Sequence, residues 1–190
     1  MTQMRCLQPP KGRAAAMAAR FGALVPVLET DRLILRAPCV EDVPDWSAIF
    51  APDDDFLGTP MDAEEAFANF ATYVGGWMLN GHGIWTMTLR GDGTRIGFTM
   101  VGLEWGDAEP ELGWMLLPAY RGHGYATEAA DAARDHAFSL FGPGETVSYI
   151  DAGNIKSARV AQKLSANRDY AEEARLGLQD VHVWRHGAHP

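Results

Sequence analysis

Cysteine is nearly absent from this 190-residue chain, with Cys6 and Cys39 as its two thiols. They form neither a disulfide framework nor a metal-binding pattern, so a reducing cytoplasm is the expected compartment. Long apolar runs are missing as well. No stretch reaches the ~18 residues a membrane span needs, and residues 84–117 are broken throughout by glycines and charges. No membrane partner is expected. Acidic residues are missing from one region: residues 1–28 hold Arg5, Lys11, Arg13 and Arg20 and no acid. The remainder carries 12 basic against 25 acidic residues, a net charge of −13. A body this acidic repels phosphate backbones, which argues against nucleic acid as a partner. It is compatible with a cationic substrate such as an amine or a basic peptide, and equally with an ordinary solubilising surface.

What is present fits one domain with a full core, since apolar residues make up 47% of the chain. Residues 1–28 read as a basic, flexible N-terminal extension, and residues 29–190 as the domain. The first strand is expected over 32–37. Val43, Trp46 and Phe50 follow at near-helical spacing. Asp62 can cap a helix carrying Phe67, Phe70, Val74 and Trp77, spaced three and four apart. Residues 84–90 and 95–105 read as two strands joined by the turn at 91–94. Another strand covers 110–117. Ala126, Ala129, Ala130, Ala133, Ala137 and Leu140 mark one stripe of the next helix. A strand over 146–151 follows, then a short helix with Ile155, Val160 and Leu164 inward. A weak strand over 168–172 and a last one over 180–184 complete the order β-α-α-β-β-β-α-β-α-β-β. Hairpins make most of such a sheet antiparallel, and the crossover through Ala126 makes one pair parallel.

The sharpest local feature is the passage from strand to helix through Arg121-Gly122-His123-Gly124-Tyr125-Ala126. The first turn of a helix offers backbone N–H groups without intrahelical partners, and the helix dipole adds positive potential there. Glycines let an anion come close to the main chain. A phosphate-binding P-loop would need Gly-Lys-Ser or Gly-Lys-Thr, which is missing. A dinucleotide fold would want a third glycine near Thr127 and a longer alternation of strands and helices.

The same stretch resembles the Arg/Gln-x-x-Gly-x-Gly/Ala signature of GNAT-superfamily acyl-CoA N-acyltransferases, with Arg121, Gly124 and Ala126 at its fixed positions. Residues 28–46, 110–129 and 154–164 resemble the RimJ/RimL branch in the same order, over roughly residues 28–186. One departure is Ser165-Ala166-Asn167, which stands where that family has glycine followed by a large apolar residue. The resemblance implies a single-domain α/β fold. Its mixed, mostly antiparallel sheet would have flanking helices and one splayed parallel strand pair. It implies acetyl-CoA as acetyl donor, no metal, and an amine as acceptor. The pantetheine arm would pair with the strand carrying Trp114, Met115 and Leu116. The pyrophosphate would lie on the turn from Arg121 through Gly122, His123, Gly124, Tyr125 and Ala126 to Thr127. Asn154 would hold the pantetheine arm and Ser157 would donate to the leaving thiolate, although in isolation the pair also reads as a helix cap and its first turn.

The reaction requires a neutral amine. At pH 7 an α-amine is about a tenth neutral, and a lysine amine only about one part in 2,500. A base therefore helps, and Glu111, on the strand leading to the turn and on one face with Gly113 and Met115, is the first choice. Glu104, Asp151, Glu172 and Glu173 compete with it. His123 is read as a packing or phosphate-contacting residue. His82, His182, His186 and His189 show no metal spacing. Trp85, Trp105 and Trp114 either line an acceptor cleft or pack in the core. The branch includes enzymes that acetylate protein N-terminal α-amines, so a basic protein N-terminus leads the acceptors. Small amines, polyamines and aminoglycosides come next. A non-catalytic acyl-CoA-binding module is the rival of a different class, and a homodimer is an open assembly.

Overall fold

The computed structural model describes residues 4–50 and 60–187, so His189 lies outside the described residues. Among the described residues eight strands form one sheet in the order β1-β2-β3-β4-β5-β6-β8-β7. They are β1 (Leu28–Glu29), β2 (Leu33–Arg36), β3 (Ile84–Leu89), β4 (Arg95–Gly102), β5 (Glu111–Leu116), β6 (Val147–Asp151), β7 (Asn167–Arg168) and β8 (Val181–Arg185). Every neighbouring pair is antiparallel except β5 with β6. The expected mixed α/β architecture is the one that forms. No helix among the described residues is long and apolar enough to cross a membrane.

One face of the sheet is covered by α4 (Tyr125–Phe141). Ala129, Ala130, Ala133 and Ala137 are fully buried there against Leu33, Leu35, Met87, Ile96, Leu112 and Leu116. With alanine methyl groups at the centre of the contact, the helix can lie close to the strands, and this fixes where its N-terminus lies. Leu140, expected in the same stripe, is exposed. The opposite face is covered by α2 (Val43–Ile49) and α3 (Ala63–Leu79). Trp46 is fully buried there with its ring against Phe50, Phe70, Tyr73 and Phe98. Asp62 caps α3 as expected. Its carboxylate accepts from the Glu64 and Glu65 amides at 2.9 Å, and Glu65 returns a bond to the Asp62 amide at 2.9 Å.

A bulge interrupts β4. The pairing steps from Met87 with Gly97 to Thr88 with Arg95, leaving Ile96 as the extra residue. Ile96 therefore packs toward α4, whereas Phe98, two positions on, packs toward α3. Gly97 has φ +154°, and a Cβ there would lie 2.2 Å from the Met115 carbonyl oxygen, so only glycine lets β5 approach at this point.

Three expectations change. The weak strand over 168–172 is only Asn167–Arg168; the chain then turns into α6 (Tyr170–Leu176), whose Glu172 amide bonds the Asp169 side chain at 3.0 Å. The short helix α5 (Ile155–Lys163) turns Ile155 to solvent; Leu164 is buried and Val160 packs on the core as expected, and Ala161 is buried in place of Ile155. At the N-terminus, α1 (Gly12–Gly22) buries none of its residues, yet Val25 joins the core. The Trp85 indole N–H donates to the Pro26 carbonyl at 2.8 Å, and Leu28 pairs with Leu35.

Candidate active site

β5 and β6 run parallel and share one register pair, Glu111 with Val147. Beyond it the two strands part toward their C-terminal ends. β5 then leads through Leu117 and a short helical turn, Pro118–Tyr120, into the glycine turn. The Arg121 Nε donates back to the Leu116 carbonyl at 3.0 Å, which closes the corner. Gly122 and Gly124 both have φ +83°, in the left-handed region where a Cβ would strain the chain. Gly124 is the N-cap of α4 and has no side chain to cap the first-turn N–H groups. The cleft between the parted strands thus ends at open helix donors. The unpaired edge of β5 and the donors at the helix start suit an extended amide arm followed by a diphosphate, so the residues present fit coenzyme A.

A clamp that sequence reasoning missed holds this turn. Arg32, just before β2, donates from Nη1 to the His123 carbonyl at 3.0 Å and from Nε to Glu128 at 2.6 Å. Its guanidinium lies over the Tyr125 ring, 4.6 Å from the centroid. Glu128 also accepts from the Thr30 hydroxyl at 2.5 Å and from the Arg32 amide at 2.8 Å. Burial acts to raise the Glu128 pKa, but these hydrogen bonds and the Arg32 charge win and hold it below the usual carboxylate range. Glu128 is therefore ionised and engaged by Arg32 and Thr30. The clamp spans 96 positions between Arg32 and Glu128, and no local motif announces it.

Glu111 sits where β5 and β6 part. Burial, helped by the charges of Asp107 and Glu104, pushes its carboxyl up to about 8, while the Tyr149 backbone N–H favours the ionised form. The surroundings are tyrosine-lined and acidic. The Tyr73 hydroxyl donates to Glu104, and the Glu104 amide donates to Asp107 at 2.6 Å. Tyr73 is held protonated by burial, its bond to Glu104 and the nearby acids. Glu104 is thus engaged, and the other competing acids are too. Asp151 bonds the Gly153 amide at 2.7 Å. Glu172 pairs with Arg175, and Glu173 with Arg168 at 2.8 Å.

On α5, the Asn154 side-chain oxygen accepts from the Ser157 amide at 3.1 Å, so Asn154 is a helix cap. Ser157 is half-buried in the first turn. Of the tryptophans, Trp85 is fully buried core, Trp105 is fully exposed, and Trp114 packs edge-on to His186. The His123 ring lies 5.8 Å from that of Tyr125. Among the described residues no group of three or more His, Cys, Asp or Glu could hold a metal ion.

A sheet with one parted parallel pair and a glycine turn feeding a helix defines a class, and comparison with known proteins agrees. Residues 32–167 match the model of the acetyltransferase (GNAT) domain. The chain belongs to this family and is an acetyltransferase, a class that draws its acetyl group from acetyl-CoA. Among solved structures it is similar to an acetyltransferase from Agrobacterium tumefaciens str. C58. The two are 31% identical with a TM-score of 0.77, over 86% of this chain and 95% of that one. It is 25% identical over 147 residues to the uncharacterized N-acetyltransferase YnaD of Bacillus subtilis (strain 168), covering 75% of this chain and 83% of YnaD. The fold is also that of RimL, the ribosomal L7/L12 alpha-N-protein acetyltransferase solved with coenzyme A. That likeness has a TM-score of 0.67 and 15% identity, over 85% of this chain and 98% of that one.

Proposed function

We propose that this acetyltransferase moves the acetyl group of acetyl-CoA to a primary amine, with protein N-terminal α-amines as its first acceptor class. The observation that carries the reading is the parting of β5 and β6 directly beyond Glu111, a carboxyl whose pKa is raised into the working range of a base. In this reading the bound thioester supplies the activated acyl carbon. The backbone of Trp114, Met115 and Leu116 hydrogen-bonds the pantetheine arm. The N–H groups from Arg121 to Thr127 hold the pyrophosphate. Glu111 takes a proton from the incoming ammonium, directly or through one water. Ser157 donates to the thiolate as it leaves, and Asn154 steadies the arm. Asp107 and Glu104 stand close enough to raise the Glu111 pKa, so the approach to it is negatively charged, which suits a cationic acceptor. The choice of N-terminal α-amines is supported by the RimJ/RimL-like stretches and by the RimL fold. A cytoplasmic setting belongs to the same reading.

The test is release of coenzyme A thiol from acetyl-CoA against a panel of basic N-terminal peptides, lysine-containing peptides with blocked N-termini, polyamines and aminoglycosides. Turnover is expected with free N-terminal amines and loss of it with the blocked peptides. Ser157→Ala should lower kcat by about 10- to 100-fold, because it acts on charge that develops in the transition state. Its acetyl-CoA affinity should be unchanged. Turnover of polyamines or aminoglycosides with none of peptides would overturn the acceptor class. An equal kcat for Ser157→Ala, with chemistry rate-limiting, would remove that residue from the mechanism.

A further inference from the structure

The rung at which β5 and β6 part is built from side chains. Below it the ladder is regular, with the Val147 amide donating to the Pro110 carbonyl at 3.0 Å. In a parallel ladder the next rung would join the Tyr149 amide to the Leu112 carbonyl. Neither group makes that bond. The Leu112 carbonyl accepts instead from the Ser148 hydroxyl at 2.5 Å. The Tyr149 N–H faces the Glu111 carboxylate.

The Ser148 hydroxyl has one proton, and Leu112 takes it. The 2.9 Å contact between Ser148 Oγ and His186 Nε2 must then be donated by the imidazole. His186 is fully buried, and its Nδ1 has no partner among the described residues. Burial, with the charge of Arg134, pushes its pKa down to about 4, so the ring stays neutral with its proton on Nε2. The backbone of His186 is tied at both ends. Its amide donates to the Thr146 carbonyl and its carbonyl accepts from the Gly144 amide, each at 2.9 Å. Trp114, on β5, packs edge-on against the ring at 6.5 Å. A neutral imidazole fixed in this way holds the serine hydroxyl in one orientation across the gap.

We propose that Ser148 and His186 are positioning residues that act as a spacer, keeping β5 and β6 apart above Glu111 so that β5 offers its backbone to the acetyl-CoA arm. The inference rests on the proposed use of this cleft. A backbone-to-backbone bond would draw the strands to the ~4.8 Å spacing of a closed sheet. A hydroxyl between them holds a wider gap, at a spot where the freed Leu112 carbonyl is still satisfied.

Ser148→Ala tests this directly. With the hydroxyl gone, the Tyr149 amide and the Leu112 carbonyl are each other's nearest remaining partners. The Tyr149 amide should exchange with solvent at least tenfold more slowly, and acetyl-CoA should bind at least tenfold more weakly, while the orphaned His186 Nε2–H lowers the melting temperature by a few degrees at most. Ser148→Thr keeps the hydroxyl, and His186→Gln keeps a donor near the Nε2 position, so both should retain near-native affinity. In the unaltered protein, nitrogen chemical shifts should show His186 protonated on Nε2 at neutral pH. Ser148→Ala with unchanged exchange at Tyr149 would overturn the proposal. So would a variant in which stability, protection and affinity fall together, the sign of a purely structural contact. The exchange measurement needs no substrate. If the unaltered protein failed to bind acetyl-CoA, the proposed function would fall while the spacer remained separately decided.

Discussion

Glu111 carries the most chemical weight of any single residue, and its environment makes a testable statement about pH. An ordinary glutamate has ionised well before neutrality, but burial and neighbouring acids hold this one protonated up to about 8. Below roughly 4.5 the folded and unfolded chains both carry the proton, and Glu111 does not bias folding. Between there and about 8 the unfolded chain gives it up while the folded one keeps it, so rising pH favours unfolding through this group. Glu111→Gln has no proton to lose. Its melting temperature should exceed that of the unaltered protein by a margin that grows from pH 5 to 8 and then levels off. The same substitution should abolish the rise of acceptor kcat/KM through the alkaline side of neutrality. Parallel melting curves across that range would show that Glu111 titrates normally and is no tuned base.

At the scale of elements, the junction of α5 and β7 holds the one described residue other than glycine with positive φ, Ser165 at +59°. A left-handed conformation costs an L-residue about 1–2 kcal/mol, of which glycine's looser unfolded chain gives back about 0.4–1. Ser165→Gly should therefore stabilise the protein by about 0.5–1 kcal/mol in denaturant titration, and Ser165→Ala should not. The serine also explains part of what could be read beforehand. α3 was legible because Asp62, Glu65 and the apolar spacing lie within one short window. The glycine turn was legible because its residues are consecutive and resemble a family signature. α6 was not, since Tyr170–Leu176 is about two turns with acids at its centre and no long apolar stripe, following a strand of two residues. The candidate site divides the same way. Glu111 and the turn lie in one continuous stretch, whereas the Arg32 clamp and the Ser148–His186 contact join residues 91–96 and 38 positions apart and leave no local trace.

At the scale of the whole molecule, the basic N-terminal segment divides at Phe21 and not at residue 28. Deleting residues 1–21 removes all of α1 but Gly22 and, among the described residues, only two half-buried side chains, Leu7 and Ala15. Deleting residues 1–26 also removes Val25 from the core and leaves the buried Trp85 N–H without the Pro26 carbonyl. The apolar loss is about 1.5–3 kcal/mol and the orphaned donor costs about 1–3 kcal/mol more. The shorter deletion should leave the melting temperature within a few degrees of the full chain. The longer one should lower it by about 10 °C, using about 2–4 °C per kcal/mol at this size. Equal melting temperatures would show that the segment before β1 contributes nothing to the core.

The strand order has a last consequence, for how the chain is made. β8 lies between β6 and β7, and β7 pairs with β8 alone. β6 meets β5 at a single rung. A ribosome delivering the chain from its N-terminus can complete β1 to β5 and dock α4 on them. Everything from Val147 to Leu176 then has almost no sheet to join until Val181–Arg185 emerges. For that interval β6 is an open edge, the kind that pairs with the wrong partner. The five residues that close the sheet are the last of it to be synthesised, so the nascent sheet is most exposed just before it closes.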